Sequence, residues 1–451
     1  TIHHRTRQLR HHLVSALVAR SRAQSADQVK ADDILRLIDI GLTSFTREDV
    51  LALQAPLEEL AQRPFWEPSE EINLRERRAA VQRLAENGGA ERAALIELLK
   101  ASRTVRPRPL RIEARALLRL GELADQREDR TAATQHYRSA AVRLQKLVAP
   151  NSHPTDQPDA DADQPGDRIA PLQQLELIYT RLADWPKAIV VVESLLQLRD
   201  ELLVEDDPTL YRTISALGAL HAKAARDGVQ NRDYLQVVQH AQRAETYLQR
   251  AARFWQTHRP LARRDLAATL NNWAEVARYN GDFHQAANLL DQAEPIVQRA
   301  YDKTDVPLAG FLLNRAAVDA AVGRFTTAER SYRRAISVCE QGADNPRQRM
   351  QVLAAAHLNL AQLYKSQRQY ADAARSCRAA LQLAESLFAE QQFAQAPFLI
   401  VAASLALAEA DEKLAAPRRG PGKRAVGATP AELLQQAESD VQRALAALGG
   451  D

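Results

Sequence analysis

Three stretches of the chain carry the same helical phrase. LNNWAEVARYNGDFHQAANLLDQA (270–293), LLNRAAVDAAVGRFTTAERSYRRA (312–335) and HLNLAQLYKSQRQYADAARSCRAA (357–380) align without a gap. Asn272, Asn314 and Asn359 coincide at spacings of 42 and 45, and Phe283, Phe325 and Tyr370 fall in step with them. So do the small residues Ala286, Ala328 and Ala373, then Ala293, Ala335 and Ala380. A repeating unit that cannot bury its own apolar face must stack on the next one, so this period specifies an array rather than one globular core.

Each unit reads as two antiparallel helices. Apolar residues at i, i+3, i+4 and i+7 give each helix a stripe to bury. Alanines at fixed places in the second helix let the two approach closely, and the aromatic at the turn is expected to plug the hairpin end. Weaker copies extend outward. Leu120-Gly121 with Ala133, Tyr137 and Ala140 mark one, and Leu175, Tyr179, Trp185, Ala188 and Leu195 the next. Leu217-Gly218 with Tyr234, Val237, Ala241 and Ala244 mark a third, whose hairpin turn is expected to hold about seven extra residues. Leu405-Ala406 with Leu434, Ala437, Val441 and Ala444 mark the last, giving seven hairpins between about residue 107 and the C-terminus.

Composition agrees with an all-α chain. Aromatics are 5% and glycines number 16 in 451 residues, while Ala, Leu, Gln and Arg abound; these are strong helix formers. The formal net charge of +3 lacks the concentrated basic excess of a dedicated nucleic-acid binder. Cys339 and Cys377 are the only cysteines and neither is in a CxxC pair, which fits a reducing compartment. The longest apolar run, 398–408, is half of the about 20 residues a membrane span requires. A cytoplasmic location is the expectation.

The pattern resembles the tetratricopeptide repeat family, read as W-x2-L-G-x2-Y, then A-x3-F, A and P. The longer 42- to 45-residue spacing and the wording N-L-A-x-L-Y at 359–364 resemble its kinesin-light-chain variant. The resemblance covers about three-quarters of the chain. Glu176 stands where Gly or Ala is expected, and the proline at the repeat end is mostly missing. The resemblance implies a right-handed superhelical solenoid whose first helices line a concave surface.

The expected organisation is an N-terminal helical region at 1–106, a first hairpin at 107–148, a disordered Pro/Asp-rich insertion at 149–171, a central array at 172–390 and a degenerate C-terminal hairpin at 391–451 with a basic loop at 417–430. In the N-terminal region, periodicity predicts helices over 32–42, 46–63, 68–86 and 90–102, with Ser69 as an N-cap and Gly88-Gly89 as a stop.

No P-loop, GxGxxG, HExxH or GxSxG motif occurs, so no catalytic residue, metal ligand or cofactor is assigned. His3, His4, His11 and His12 lack the i, i+4 spacing of a helical metal pair. Cys377 takes a packing position, and Cys339 is expected to do the same. By similarity to relatives with an asparagine ladder, Asn272, Asn314 and Asn359 project into the concave groove, where an amide both donates to and accepts from a peptide backbone. Arg181, Lys223, Arg278 and Lys365, one turn further on, make that groove mildly cationic and favour a partner with an acidic segment. Arg315 and Asp319 stand one turn apart at usually apolar positions, which calls for a paired, buried ion pair.

Two basic patches stand apart. Arg5, Arg7 and Arg10 lie on a short amphipathic segment without acidic residues, and Arg418, Arg419, Lys423 and Arg424 lie in the C-terminal loop. The leading expectation is a non-catalytic scaffold or adaptor that binds a protein or peptide in the groove. The alternatives are a regulatory module of a larger signalling or effector protein, or a binder of anionic surfaces through the basic N-terminal segment. Nucleic acid is the less favoured partner, and the weak last hairpin leaves a surface for a partner or a second copy.

Overall fold

A computed structural model describes residues 68–106, 108–127, 129–149, 165–230, 233–258, 263–342, 346–389 and 396–415. The described residues form fifteen α-helices and no strand. The chain divides into two compact units, 1–184 and 185–451, so a unit boundary falls inside the stretch 172–390.

In the first unit, α1 (Pro68–Leu84), α2 (Gly88–Ser102), α3 (Leu110–Gln126), α4 (Arg130–Val148) and α5 (Ile169–Arg181) each pack on the next. Ile72, Ala79, Leu95, Leu98, Ala116, Leu120 and Leu123 form one core. Gly121 lets α3 and α4 meet closely, since a Cβ there would stand 2.5 Å from the Tyr137 ring.

The first unit departs from the sequence reading in three places. Gly88-Gly89 opens α2 rather than stopping α1. The stop comes earlier, at Leu84, where Glu86 turns the chain with a φ of 58° and the Asn87 side chain accepts from the Ala90 N–H as the N-cap. Ser69 lies in the first turn of α1, which begins at Pro68. Within the expected insertion 149–171, Pro165–Arg168 is a 3-10 turn and α5 starts at Ile169. Pro171 belongs to the first turn of α5, where a missing N–H costs nothing.

The second unit holds α6 (Trp185–Leu202), α7 (Pro208–Gln230), α8 (Tyr234–Thr257), α9 (Arg263–Tyr279), α10 (Phe283–Ala300), α11 (Val306–Ala321), α12 (Phe325–Gln341), α13 (Pro346–Ser366), α14 (Tyr370–Ala389) and α15 (Ala396–Ala415). The dominant contacts pair α7 with α8, α9 with α10, α11 with α12 and α13 with α14, and α14 packs as closely on α15. The aligned alanines make these pairings possible: Ala286, Ala328, Ala373, Ala293, Ala335 and Ala380 are all buried. In the α7–α8 pair, a Cβ on Gly218 would come within 2.6 Å of Leu248.

Three-residue connectors close the next three hairpins, and the middle residue of each takes the left-handed region: Gly281 at φ 78°, Gly323 at 82° and Arg368 at 60°. Asp282 then caps α10, its side chain accepting from the Gln285 N–H. The aromatics that follow start the second helices. Phe325 is 42% exposed, so it does not plug its hairpin end as the sequence suggested. The extra residues of the α7–α8 hairpin do not swell its turn. They lengthen the helices to 23 and 24 residues, because nothing before Gln230 breaks the helical run.

Among the described residues, no helix is long and apolar enough to cross a membrane.

Candidate functional site: a groove on the first helices of the hairpins

Within the second unit, the odd-numbered helices α7, α9, α11, α13 and α15 also touch one another in succession. The even-numbered helices do not do so to a similar degree. Closer spacing on one side means that the stack curves toward it, so the odd helices form the inner face.

A groove of 680 Å3 opens on that face. Its floor is α11, where Ala317, Ala320 and Ala321 repeat at i, i+3 and i+4. Three methyl groups leave a hollow between the longer side chains of the neighbouring helices. Glu275, Arg278 and Tyr279 of α9 and Arg226 of α7 wall one side, and Asn359, Gln362 and Ser366 of α13 wall the other. Leu313, Asn314, Phe325, Tyr332, Ala355 and Leu363 complete the lining.

Of the three aligned asparagines, Asn314 and Asn359 line the groove, whereas Asn272 is not among its lining residues. The partner that α9 presents to Asn314 is Asn271, whose Oδ1 accepts from Asn314 Nδ2 at 3.1 Å. The sequence reading missed Asn271. The doubled Asn271-Asn272 was the available signal, but alignment favours whichever copy keeps register.

The four expected groove cations separate. Arg278 lines the groove and lies over the Tyr279 ring at 4.5 Å. Lys365 donates to Glu409 of α15. Lys223 sits 5.2 Å over the Trp185 ring. Arg181, in the first unit, donates to Asp125 at 3.3 Å and to the Tyr137 hydroxyl at 2.8 Å. Arg226, not singled out from the sequence, lines the groove beside Arg278. It stands in the last turns of the lengthened α7. The Nε of Arg226 and the Nε of Arg278 are both buried without a hydrogen-bond acceptor.

Tyr279 donates its hydroxyl to Glu275 Oε1 at 2.8 Å. Burial, reinforced by the Glu275 charge, pushes this phenol well above its ordinary range. Burial pushes Tyr332 up to about 12. Both phenols stay protonated near neutrality.

Outside the groove, Asp319 is fully buried and accepts from Arg315 Nε at 3.0 Å. Arg315 also reaches Asp291 and lies 3.6 Å from Glu294, tying α11 to α10. Cys377 and Cys339 are buried, and burial raises Cys377 to about 11, the behaviour of a packed thiol. Arg5, Arg7, Arg10, Arg418, Arg419, Lys423 and Arg424, with the histidines near the start of the chain, lie outside the described residues. Among the described residues, no three His, Cys, Asp or Glu side chains are grouped to hold a metal ion.

The sequence of the second unit matches known repeat models. Residues 265–341 match one tetratricopeptide repeat model and residues 356–388 another. No curated protein sequence matches the chain. Solved structures give partial likenesses. BtubC (BKLC) from P. vanneervenii is 19% identical, with a TM-score of 0.39 over 64% of this chain and 94% of its own. The repeats of a Podosopora anserina putative kinesin light chain are 18% identical, with a TM-score of 0.37 over 51% of this chain and 96% of that one. A tetratricopeptide repeat protein from Parabacteroides merdae is 12% identical, with a TM-score of 0.46 over 74% and 98%. The matched residues 265–341 and 356–388 include nearly all of α9, α10 to α12 and most of α13 and α14, the helices that supply nearly all of the groove, and these stretches are tetratricopeptide repeats.

Proposed function

We propose that the protein is a non-catalytic interaction scaffold that seats a segment of another protein in the groove of the second unit. The observation that carries this reading is the alanine floor of α11 between walls of amides and charge. Ala317, Ala320 and Ala321 make room for a chain, and Asn314, Asn359 and Gln362 offer donors and acceptors at its rim. Amide side chains suit a peptide backbone, which presents N–H and C=O groups in alternation. The cations of this end, Arg226 and Arg278, favour a segment carrying negative charge. Tetratricopeptide repeats as a family use this face for partner chains, in line with the resemblance that the sequence carries.

Capture from native lysate tests it. The parent protein and an Asn314→Ala/Asn359→Ala variant, both checked for helicity by circular dichroism, are compared. The scaffold reading expects a discrete partner enriched by the parent and depleted with the variant. Equal capture by both assigns the asparagines to packing between helices and moves binding off the groove.

A further inference from the structure

The groove ends in two guanidinium groups that the protein itself does not neutralise. Arg226 and Arg278 both line it, and neither Nε has an acceptor although both are buried. Three other cations on the same row of helices are paired. Lys365 has Glu409, Arg212 has Asp265, and Arg315 has Asp319 and Asp291. A buried donor without an acceptor is rare in a folded protein and calls for a partner. Both arginines line the groove together with Tyr279, and Arg278 lies over the Tyr279 ring at 4.5 Å. The nearby acid, Glu275, is held by the Tyr279 hydroxyl and forms no ion pair with either arginine.

We propose that this end of the groove anchors a phosphate monoester on the seated segment, a phosphorylated serine or threonine side chain. The proposal rests on the groove reading above. Two guanidinium groups carry two positive charges, and one carboxylate neutralises only one of them. A phosphate monoester carries close to two charges at neutral pH and three terminal oxygens, enough to occupy both. The groove of 680 Å3 with its alanine floor has room for the tetrahedral group, and Asn314 lines it within the reach of an adjoining backbone. The groove is a recess lined by five helices, which suits a side chain extended from a peptide rather than a flat lipid surface. Phosphorylation of the partner would then switch docking on.

The test is calorimetric titration of the full chain at pH 7.5 with N-acetyl-phosphoserine amide, inorganic phosphate, succinate and acetate. Phosphoserine amide is expected to bind most tightly. Arg226→Gln and Arg278→Gln are each expected to weaken it about tenfold or more, the worth of a charge-assisted hydrogen bond. Glu275→Gln is expected to tighten it severalfold by removing a like charge. Unchanged helicity and melting show that the Gln variants fold. Succinate binding as tightly as phosphoserine amide overturns the proposal, as does unaltered phosphoserine binding by the two arginine variants. Inorganic phosphate binding more tightly than the amide also overturns it, because the site would then serve a free ion. Capture of the same partner by an Arg226→Gln/Arg278→Gln protein would sink the phosphate anchor while leaving the groove reading intact. Loss of capture in Asn314→Ala/Asn359→Ala, with or without phosphate binding, reports on the groove alone.

Discussion

His221 Nδ1 lies 2.8 Å from His240 Nδ1, across the α7–α8 hairpin. His221 is fully buried and its ring stacks on Tyr247. Two neutral imidazoles can share this contact only if one Nδ1 carries the proton. His221 Nε2 is buried without a partner, and an idle acceptor costs less there than an idle N–H donor. His221 is therefore assigned as the Nδ1–H donor and His240 as the acceptor.

This pair sets a pH dependence. Burial, then the charges of His240 and Arg243, lower His221 from 6.5 to about 4. Burial and Arg243 lower His240 as well. Above about pH 6.5 both states of the chain are neutral at these positions and the stability is whole. As pH falls toward 4 the unfolded chain takes up protons that the folded hairpin refuses, and stability declines; below 4 the loss is complete. A His221→Phe/His240→Gln protein is expected to lose less stability between pH 7 and pH 4, by about 2 kcal/mol. Urea unfolding at the two pH values checks this. Equal losses in parent and variant would place the titration elsewhere.

The Arg315–Asp319 pair should be costly to break and cheap to replace. Arg315→Met leaves the buried Asp319 carboxylate with only Arg324, 3.6 Å away. A destabilisation of about 3 kcal/mol is expected from urea unfolding. Arg315→Met/Asp319→Leu should recover most of it, since no charge is then stranded. A single substitution without effect would show that the pair adds nothing to stability.

Gly218→Ala should overpack the α7–α8 contact, because the new methyl would press on the fully buried Leu248 at 2.6 Å. The expected cost is about 1–3 kcal/mol, read as a lowered thermal midpoint. Gly310→Ala, where a Cβ meets nothing within 4 Å, should be neutral or mildly stabilising in its helix.

Arg368→Gly is expected to stabilise the α13–α14 turn by up to about 1 kcal/mol. Arg368 holds a φ of 60° where the equivalent turns use Gly281 and Gly323. Arg368→Val should cost more than Arg368→Gly gains, and the two melting shifts should have opposite signs.

The hairpins were legible in the sequence because period and burial are local and repeated. The alanines at 286, 328 and 373 announce a close helix contact wherever they recur. The groove was legible only in part. An α-helix turns about 100° per residue, so choosing Asn272 over Asn271 moves an amide from one neighbour to another. Lys365 looked free because Glu409 is 44 residues away in sequence. Arg226 was hidden because the lengthening of α7 has no counterpart in the aligned hairpins. His221 and His240 sit 19 residues apart, and only the closed hairpin brings their rings together.

The most direct test of the account is to fill the groove. Ala317 lies on the floor of the groove, on the solvent side of α11, so Ala317→Trp should occupy the hollow and spare the core. The partner enriched from lysate by the parent is titrated against both proteins. The account predicts that Ala317→Trp keeps its helicity and melting temperature and loses at least about tenfold in affinity, about 1.4 kcal/mol. Undiminished affinity for the tryptophan variant would contradict it and place the partner on another face.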